Sequence, residues 1–183
     1  RYELSPEYIV TMLALLRAGI SFICLSSDSN LISIKPSLDK INCRKIISKN
    51  NNYEKKLGIL KHREKNNFYV NNDVDTACLI LTSGSTGKPK LVPLAHKAIV
   101  QRLNWIKKTH PLDQKRTSLS QFSPTTLGGI LISLTPLVCG SKLALCPKDK
   151  IVDIEGFKKF SRENKITDIV VMPSLIKLLL EFE

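Results

Sequence analysis

The sequence has no apolar run approaching the roughly 20 residues that span a bilayer, so the expectation is a protein without a membrane span. It opens without the charged-then-apolar pattern of a secretory leader. No CxxC pair occurs. The five cysteines (Cys24, Cys43, Cys78, Cys139 and Cys146) are odd in number and scattered. That excludes a disulfide frame and a zinc site, and they read as reduced core thiols of a cytoplasmic protein. Acid is scarce: 16 Asp and Glu face 28 Lys and Arg, a net charge of +12. Such an excess would suit nucleic acid if it were gathered on one element among aromatic residues. Here Lys55, Lys56, Lys61, Arg63, Lys107, Lys108, Lys148, Lys150, Lys158 and Lys159 are spread along the chain. The charge therefore reads as a solvated surface with a weak general attraction for anions and no specific nucleic-acid partner. No Ser/His/Asp or Cys/His constellation can be assembled, which removes support for hydrolase chemistry.

What is present is a soluble-type composition, 43% hydrophobic and 24% charged, long enough for one domain or part of a larger one. Ser5-Pro6-Glu7 is a helix start, with Ser5 as N-cap and Pro6 in the first turn; the helix YIVTMLALLRA stops at Gly19. The strand ISFICL, a weak helix from Leu31 to Asn42 and the strand RKIIS come next. Residues 49 to 73 are polar and rich in Asn and Lys, and read as a surface excursion. TACLILT (76 to 82) and LVPL (91 to 94) are apolar strands either side of a loop. Helical spacing returns with Ile99, Leu103 and Ile106, and again in LGGILISLTPLV, which ends near Gly140. The strand KLALC, an amphipathic helix from Asp153 to Lys165, the strand TDIVVM and the helix SLIKLLLEF complete the pattern. Strands separated by helical stretches predict an α/β architecture, layered sheets with flanking helices and largely parallel pairing. No internal repeat is visible.

The loop TSGSTGKPK, residues 82 to 90, carries the chemistry. Gly84, Gly87 and Pro89 interrupt any helix. Glycine lets backbone N–H groups turn inward and approach a ligand closely. Thr82, Ser83, Ser85 and Thr86 add hydroxyl donors, and Lys88 and Lys90 add positive charge. A polyphosphate wants all three. Each hydrogen bond to a charged group contributes about 1.5–3 kcal/mol, so a few together hold a triphosphate. It is not a Walker A loop, because Pro89 follows Lys88 and Thr82 occupies the position of that motif's first glycine. The competing reading is a Gly/Ser hairpin turn with exposed lysines.

Leu79-Ile80-Leu81-Thr82-Ser83-Gly84-Ser85-Thr86-Gly87-Lys88-Pro89-Lys90 resembles the AMP-binding signature of adenylate-forming enzymes: acyl-CoA synthetases, luciferases and nonribosomal peptide synthetase adenylation domains. LLRAGISFICLSSDS, HKAIVQRLNW, TPLVCGSKLAL and ITDIVVMPSLIKLLL are similar, in order and spacing, to neighbouring segments of adenylation domains. The resemblance covers nearly the whole chain and within the family looks most like the Ebony-type synthetases, which couple β-alanine to amines. It implies a fragment of the N-terminal core of an adenylate-forming enzyme. It also implies a reaction: a small carboxylate or amino acid attacks the α-phosphorus of ATP, with Mg²⁺ assisting, and the acyl group passes to the phosphopantetheine of a carrier domain or to CoA. On this reading Thr82, Ser83, Ser85 and Thr86 contact the β- and γ-phosphates. Gly84 and Gly87 permit the loop's shape, Lys90 is the catalytic cation touching phosphate, and Lys88 adds field.

Three departures stand beside that resemblance. Leu91 occupies the position where the family usually has glycine after Pro-Lys. The segment Gln121 to Gly129, where amino-acid-activating relatives carry an amine-pairing aspartate, contains no acid; the corresponding Ebony-type segment would fall on Thr125 to Gly128, with its aspartate on Gly128, so that acid is missing too. An unpaired buried ammonium costs several kcal/mol, so the substrate lacks that amine or the module is degenerate and binds nucleotide without catalysis. Finally, the chain begins Arg1-Tyr2, stops at Glu183, and lacks the family's later Mg²⁺-binding, ribose-binding and C-terminal parts. It is therefore expected to be a partial domain of a longer synthetase, inactive alone, with no metal ligand of its own. His96 is weighed equally between structure and substrate contact, Trp105 is expected in the core, and His62 and His110 are expected to be solvated.

Overall fold

The computed structural model of the chain describes residues 3–26, 29–41, 43, 75–83, 89–110, 112–123, 125–151 and 153–181. The expected strand RKIIS, the stretch 49 to 73 and His62 lie outside the described residues. The first helix, α1 (Pro6–Arg17), starts as its sequence dictates: the Ser5 hydroxyl accepts from the Tyr8 N–H, and Pro6 fills the first turn, where a missing N–H costs nothing. It ends where Gly19 takes a left-handed backbone, φ 64°, a conformation glycine adopts without strain. After it come β1 (Phe22–Ile23), α2 (Leu31–Lys40), β2 (Thr76–Ser83), β3 (Pro89–Ala95) and α3 (His96–Thr109). The second half holds β4 (Thr117–Ser120), α4 (Leu127–Cys139), β5 (Lys142–Leu145), α5 (Lys148–Ile151), α6 (Ile154–Glu163), β6 (Asp168–Ile169) and α7 (Pro173–Glu181).

The described strands form two sheets of three, and three of their four pairings are parallel, as the alternation of strands and helices predicts. The first has the order β1-β2-β3, with β1 parallel and β3 antiparallel to β2. The second, β5-β4-β6, is parallel throughout. The antiparallel pair arises because only a short loop separates β2 from β3, and parallel neighbours need a crossover of a dozen residues or more. ISFICL and TDIVVM shorten to two-residue strands, and the short helix α5 had no clear pattern in the sequence.

An irregularity between Thr76 and Cys78 brings Ala77 and Cys78 into one core, and beyond it Ile80 and Leu81 turn to two different cores, so TACLIL is apolar on both parities. Ala77 and Cys78 join Tyr8, Ile9 and Met12 of α1, Ile99 and Leu103 of α3, and Ile130 and Leu134 of α4. Leu81 packs instead against Leu25, Ile34 and Leu38, so α2 covers the opposite face. A third cluster of Leu119, Cys146 and Phe157, with Leu175 and Leu179 packed on it, places α6 and α7 on the outer side of the second sheet. Helix α4 lies between the sheets: Ile130 and Leu134 face the first core, and the Ser133 hydroxyl meets that of Ser120 on β4 at 3.2 Å. Its ends carry ordinary caps, Thr126 accepting from the Gly129 N–H and Gly140 left-handed at φ 77°.

Candidate functional site

The loop singled out in the sequence joins β2 to β3, and the two strands run in register up to it. Thr82 faces Lys90 and Ser83 faces Pro89 as the last two pairs of the ladder. The Thr82 hydroxyl donates to the Lys90 carbonyl at 3.3 Å, which ties the neck of the hairpin. Both residues are exposed. Cross-strand partners share a face of the sheet, so Thr82 and Lys90 prolong the row begun by Cys78 and Ile80, past the edge of the apolar core. Gly84, Ser85, Thr86, Gly87 and Lys88 lie outside the described residues, as do the side chains of Ser83 and Pro89. The structure therefore brings two of the sequence-predicted residues together, Thr82 and Lys90, at the foot of the loop. Leu91 sits opposite Leu81, half-buried, where a strand has use for a leucine.

A second feature lies at the carboxyl ends of the parallel sheet. Strand β4 leaves toward α4, between the sheets, and β5 and β6 leave toward α6 and α7 on the outer side. Neighbouring strands whose connections depart to opposite faces open a crevice outside their carboxyl ends, the usual ligand position in open α/β sheets. Here the Gln121 amide donates to the Val170 carbonyl at 3.1 Å, and its Oε1 is buried with no partner among the described residues. The turn that follows is built from hydroxyls. Thr126 Oγ1 donates to the Ser123 carbonyl at 3.0 Å, and the Ser123 and Thr125 hydroxyls meet at 2.9 Å. Gly129 packs so tightly that a Cβ there would lie 2.0 Å from the Ser123 carbonyl oxygen, but Gly128 is open. In the sequence Gln121 stands out only as part of an acid-free segment, because the strand that delivers it has no apolar pattern.

The remaining candidates divide. His96 is the half-buried first residue of α3. His110 is exposed and its Nδ1 lies 2.9 Å from the Thr109 hydroxyl. Trp105 is not in the core: it is 48% exposed, with the Arg102 guanidinium 4.4 Å from its ring centroid. Helical spacing misplaces it because the buried stripe of α3 is the narrow one of Ile99 and Leu103, and Trp105 falls to one side. All five thiols are free. Burial pushes Cys78 up to about 12 and Cys146 up to about 11, and raises Cys24 and Tyr8 as well, so these four groups keep their protons near neutrality. Among the described residues no three His, Cys, Asp or Glu side chains group to hold a metal, and no helix is long and apolar enough to cross a membrane.

The profile of the family described as AMP-binding enzyme matches residues 2–183. The chain belongs to that family. Tyrocidine synthase 3 of Brevibacillus parabrevis is 34% identical over 106 residues, 58% of this chain. The beta-alanyl-bioamine nonribosomal peptide synthetase ebony of Drosophila melanogaster is 33% identical over 107 residues, again 58% of this chain. The chain spans only 2% of the first relative and 12% of the second. Among solved structures, the Vibrio cholerae adenylation domain AlmE, in complex with glycyl-adenosine-5'-phosphate, superposes with a TM-score of 0.79 at 18% identity. That match covers 98% of this chain and 41% of AlmE, and it shows the shared fold.

Proposed function

We propose that this chain is the N-terminal part of an adenylation domain within a longer, cytoplasmic AMP-forming ligase. It activates a small carboxylic or amino acid as its acyl-adenylate, for transfer to a phosphopantetheine thiol on a carrier domain or to CoA. The observation that carries this reading is the family match over residues 2–183, on a chain whose β2–β3 hairpin presents TSGSTGKPK from a tied neck.

The donor set fits the tail of ATP: hydroxyls from Thr82, Ser83, Ser85 and Thr86, backbone N–H groups freed by Gly84 and Gly87, and the cations Lys88 and Lys90. Bound ATP supplies the electrophilic α-phosphorus and Mg²⁺ neutralises charge on the phosphates; no residue of this chain is assigned to the metal. What the chain's residues do is position and stabilise. The hydroxyls and amides fix the β- and γ-phosphates so that pyrophosphate can leave, and Lys90 offsets the negative charge that builds on it. The Thr82 hydroxyl donates a hydrogen bond to the Lys90 carbonyl, so its side chain holds the hairpin neck until a phosphate oxygen competes as acceptor.

The acid-free turn between β4 and α4 bears on the substrate. Described residues from Gln121 to Gly129 offer amide and hydroxyl groups and no carboxylate. This favours an acid without an α-amine over a zwitterion, and it is also the observation behind the second reading, a module that binds nucleotide without catalysis. Pyrophosphate exchange on the full-length polypeptide, with a panel of aryl, alkyl and amino acids, separates the two. Exchange with an amine-free acid, lowered about 100-fold in Lys90→Ala, is the expected result. Exchange with none of the acids would remove the catalytic reading.

A further inference from the structure

Helix α7 carries more apolar surface than its packing uses. Leu175, Ile176, Leu178, Leu179 and Leu180 span roughly 200° of its circumference, about twice the stripe that one core contact needs. Leu175 and Leu179 pack on the core of Leu119, Cys146 and Phe157, but no residue of α7 is fully buried. Ile176, Leu178 and Leu180 are exposed. So are Ile169, Val170 and Met172 at the end of β6, which is an edge strand of its sheet among the described residues. Edges that stay open usually carry a charge or a proline against further pairing, and IVVM has neither.

We propose that the far edge of β6 and the open flank of α7 are the seat of the polypeptide that follows α7 in the longer domain, beginning with a further parallel strand laid on β6. The faces taken by the crossovers set that position. From β4 to β5 the chain crosses through α4, between the sheets, and from β5 to β6 it returns over the outer side through α6. Crossovers in one sheet keep one hand, so an outer-side helix carries the chain from β5 toward β6 and onward. Helix α7 lies on the outer side, and a parallel strand after it falls beyond β6. There is chain enough to cover the surface: the region shared with AlmE is 41% of that protein's length. A second copy of the chain is the other occupant such an edge admits, but a tethered segment arrives at far higher effective concentration. The inference rests on the reading of the chain as part of a longer domain, and not on catalysis.

The two methionines supply the test and its control. Met172 is 57% exposed, whereas Met12 is 1% exposed and its sulfur accepts from the Tyr8 hydroxyl. The full-length polypeptide is treated with hydrogen peroxide, native and in urea, and the sulfoxide at each methionine is followed by mass spectrometry. Both are expected to oxidise at least about tenfold more slowly in the native state, at every protein concentration. Residue-resolved hydrogen exchange is expected to be slow at all amides from Ile169 to Val171, not only at those facing β4. Met172 oxidising at its urea rate while Met12 stays shielded would overturn the inference. So would protection lost on dilution, which marks a second copy, or fast exchange along the far side of β6. Pyrophosphate exchange on the same sample keeps the two readings apart. Exchange with Met172 open sinks this inference alone, and a shielded Met172 without exchange upholds it and sinks catalysis alone.

Discussion

A methyl group on Gly129 would lie 2.0 Å from the Ser123 carbonyl oxygen, a backbone atom that cannot swing aside, whereas the nearest atom to a methyl on Gly128 is 3.9 Å away. Adjacent glycines in one helix therefore predict opposite outcomes. Gly129→Ala is expected to destabilise by about 3 kcal/mol or more in urea unfolding, and Gly128→Ala to be neutral or stabilising by about 0.5 kcal/mol. Buried hydroxyls make a similar contrast on β4. Ser120→Ala strands the Ser133 hydroxyl and should cost about 1–3 kcal/mol, with much of the loss recovered in the Ser120→Ala/Ser133→Ala double variant. Ser118 Oγ is buried with no partner among the described residues, so Ser118→Ala should cost nothing. Thiol ionisation gives a pH dependence. Cys78 and Cys146 hold their protons to about 12 and 11 when folded, against an ordinary 9.0, so the unfolded chain releases protons first. Their contribution to stability is complete below pH 9 and is lost as pH rises through the folded values. The melting temperature should fall above pH 9, and Cys78→Ala should flatten the decline.

At the scale of elements, helices with signals at both ends were legible. Ser5 with Pro6 and Gly19 bound α1, Gly140 closes α4, and Asp153 caps α6 by accepting from the Gly156 N–H at 3.0 Å. The hairpin strands were legible because β2 is apolar on both faces. Strand β4, the centre of the second sheet, was not. Its sequence TSLS carries one apolar residue, since Leu119 alone faces the outer core and Ser118 and Ser120 lie on the other side, where Ser120 meets Ser133. A strand that buries hydroxyls gives no hydrophobic period to read. Trp105 misled for the opposite reason: an aromatic at helical spacing suggests a core, but the sequence does not say how wide the buried stripe is. Of the candidate site, residue types and order were plain in TSGSTGKPK, and the structure adds the register that sets Thr82 against Lys90. The crevice beside Gln121 could not be read in advance, because it depends on which face each strand's connection takes.

For the whole molecule, two small sheets with α4 between them place the ends of the TSGSTGKPK segment on one sheet and an acid-free turn at the carboxyl end of the other. A single short chain thus carries the loop proposed to face nucleotide and part of the wall proposed to face the acid, on a fold it shares with much longer relatives. The nucleotide-facing role depends on residues 82 to 90 binding a polyphosphate. Amide-resolved NMR of the chain, titrated with Mg·ATP and separately with inorganic tripolyphosphate, puts that binding to the test. Shifts concentrated on residues 82 to 90 are expected with either ligand, weak in affinity and about tenfold weaker in Lys90→Ala. Shifts confined to other segments, or undiminished in Lys90→Ala, would contradict it.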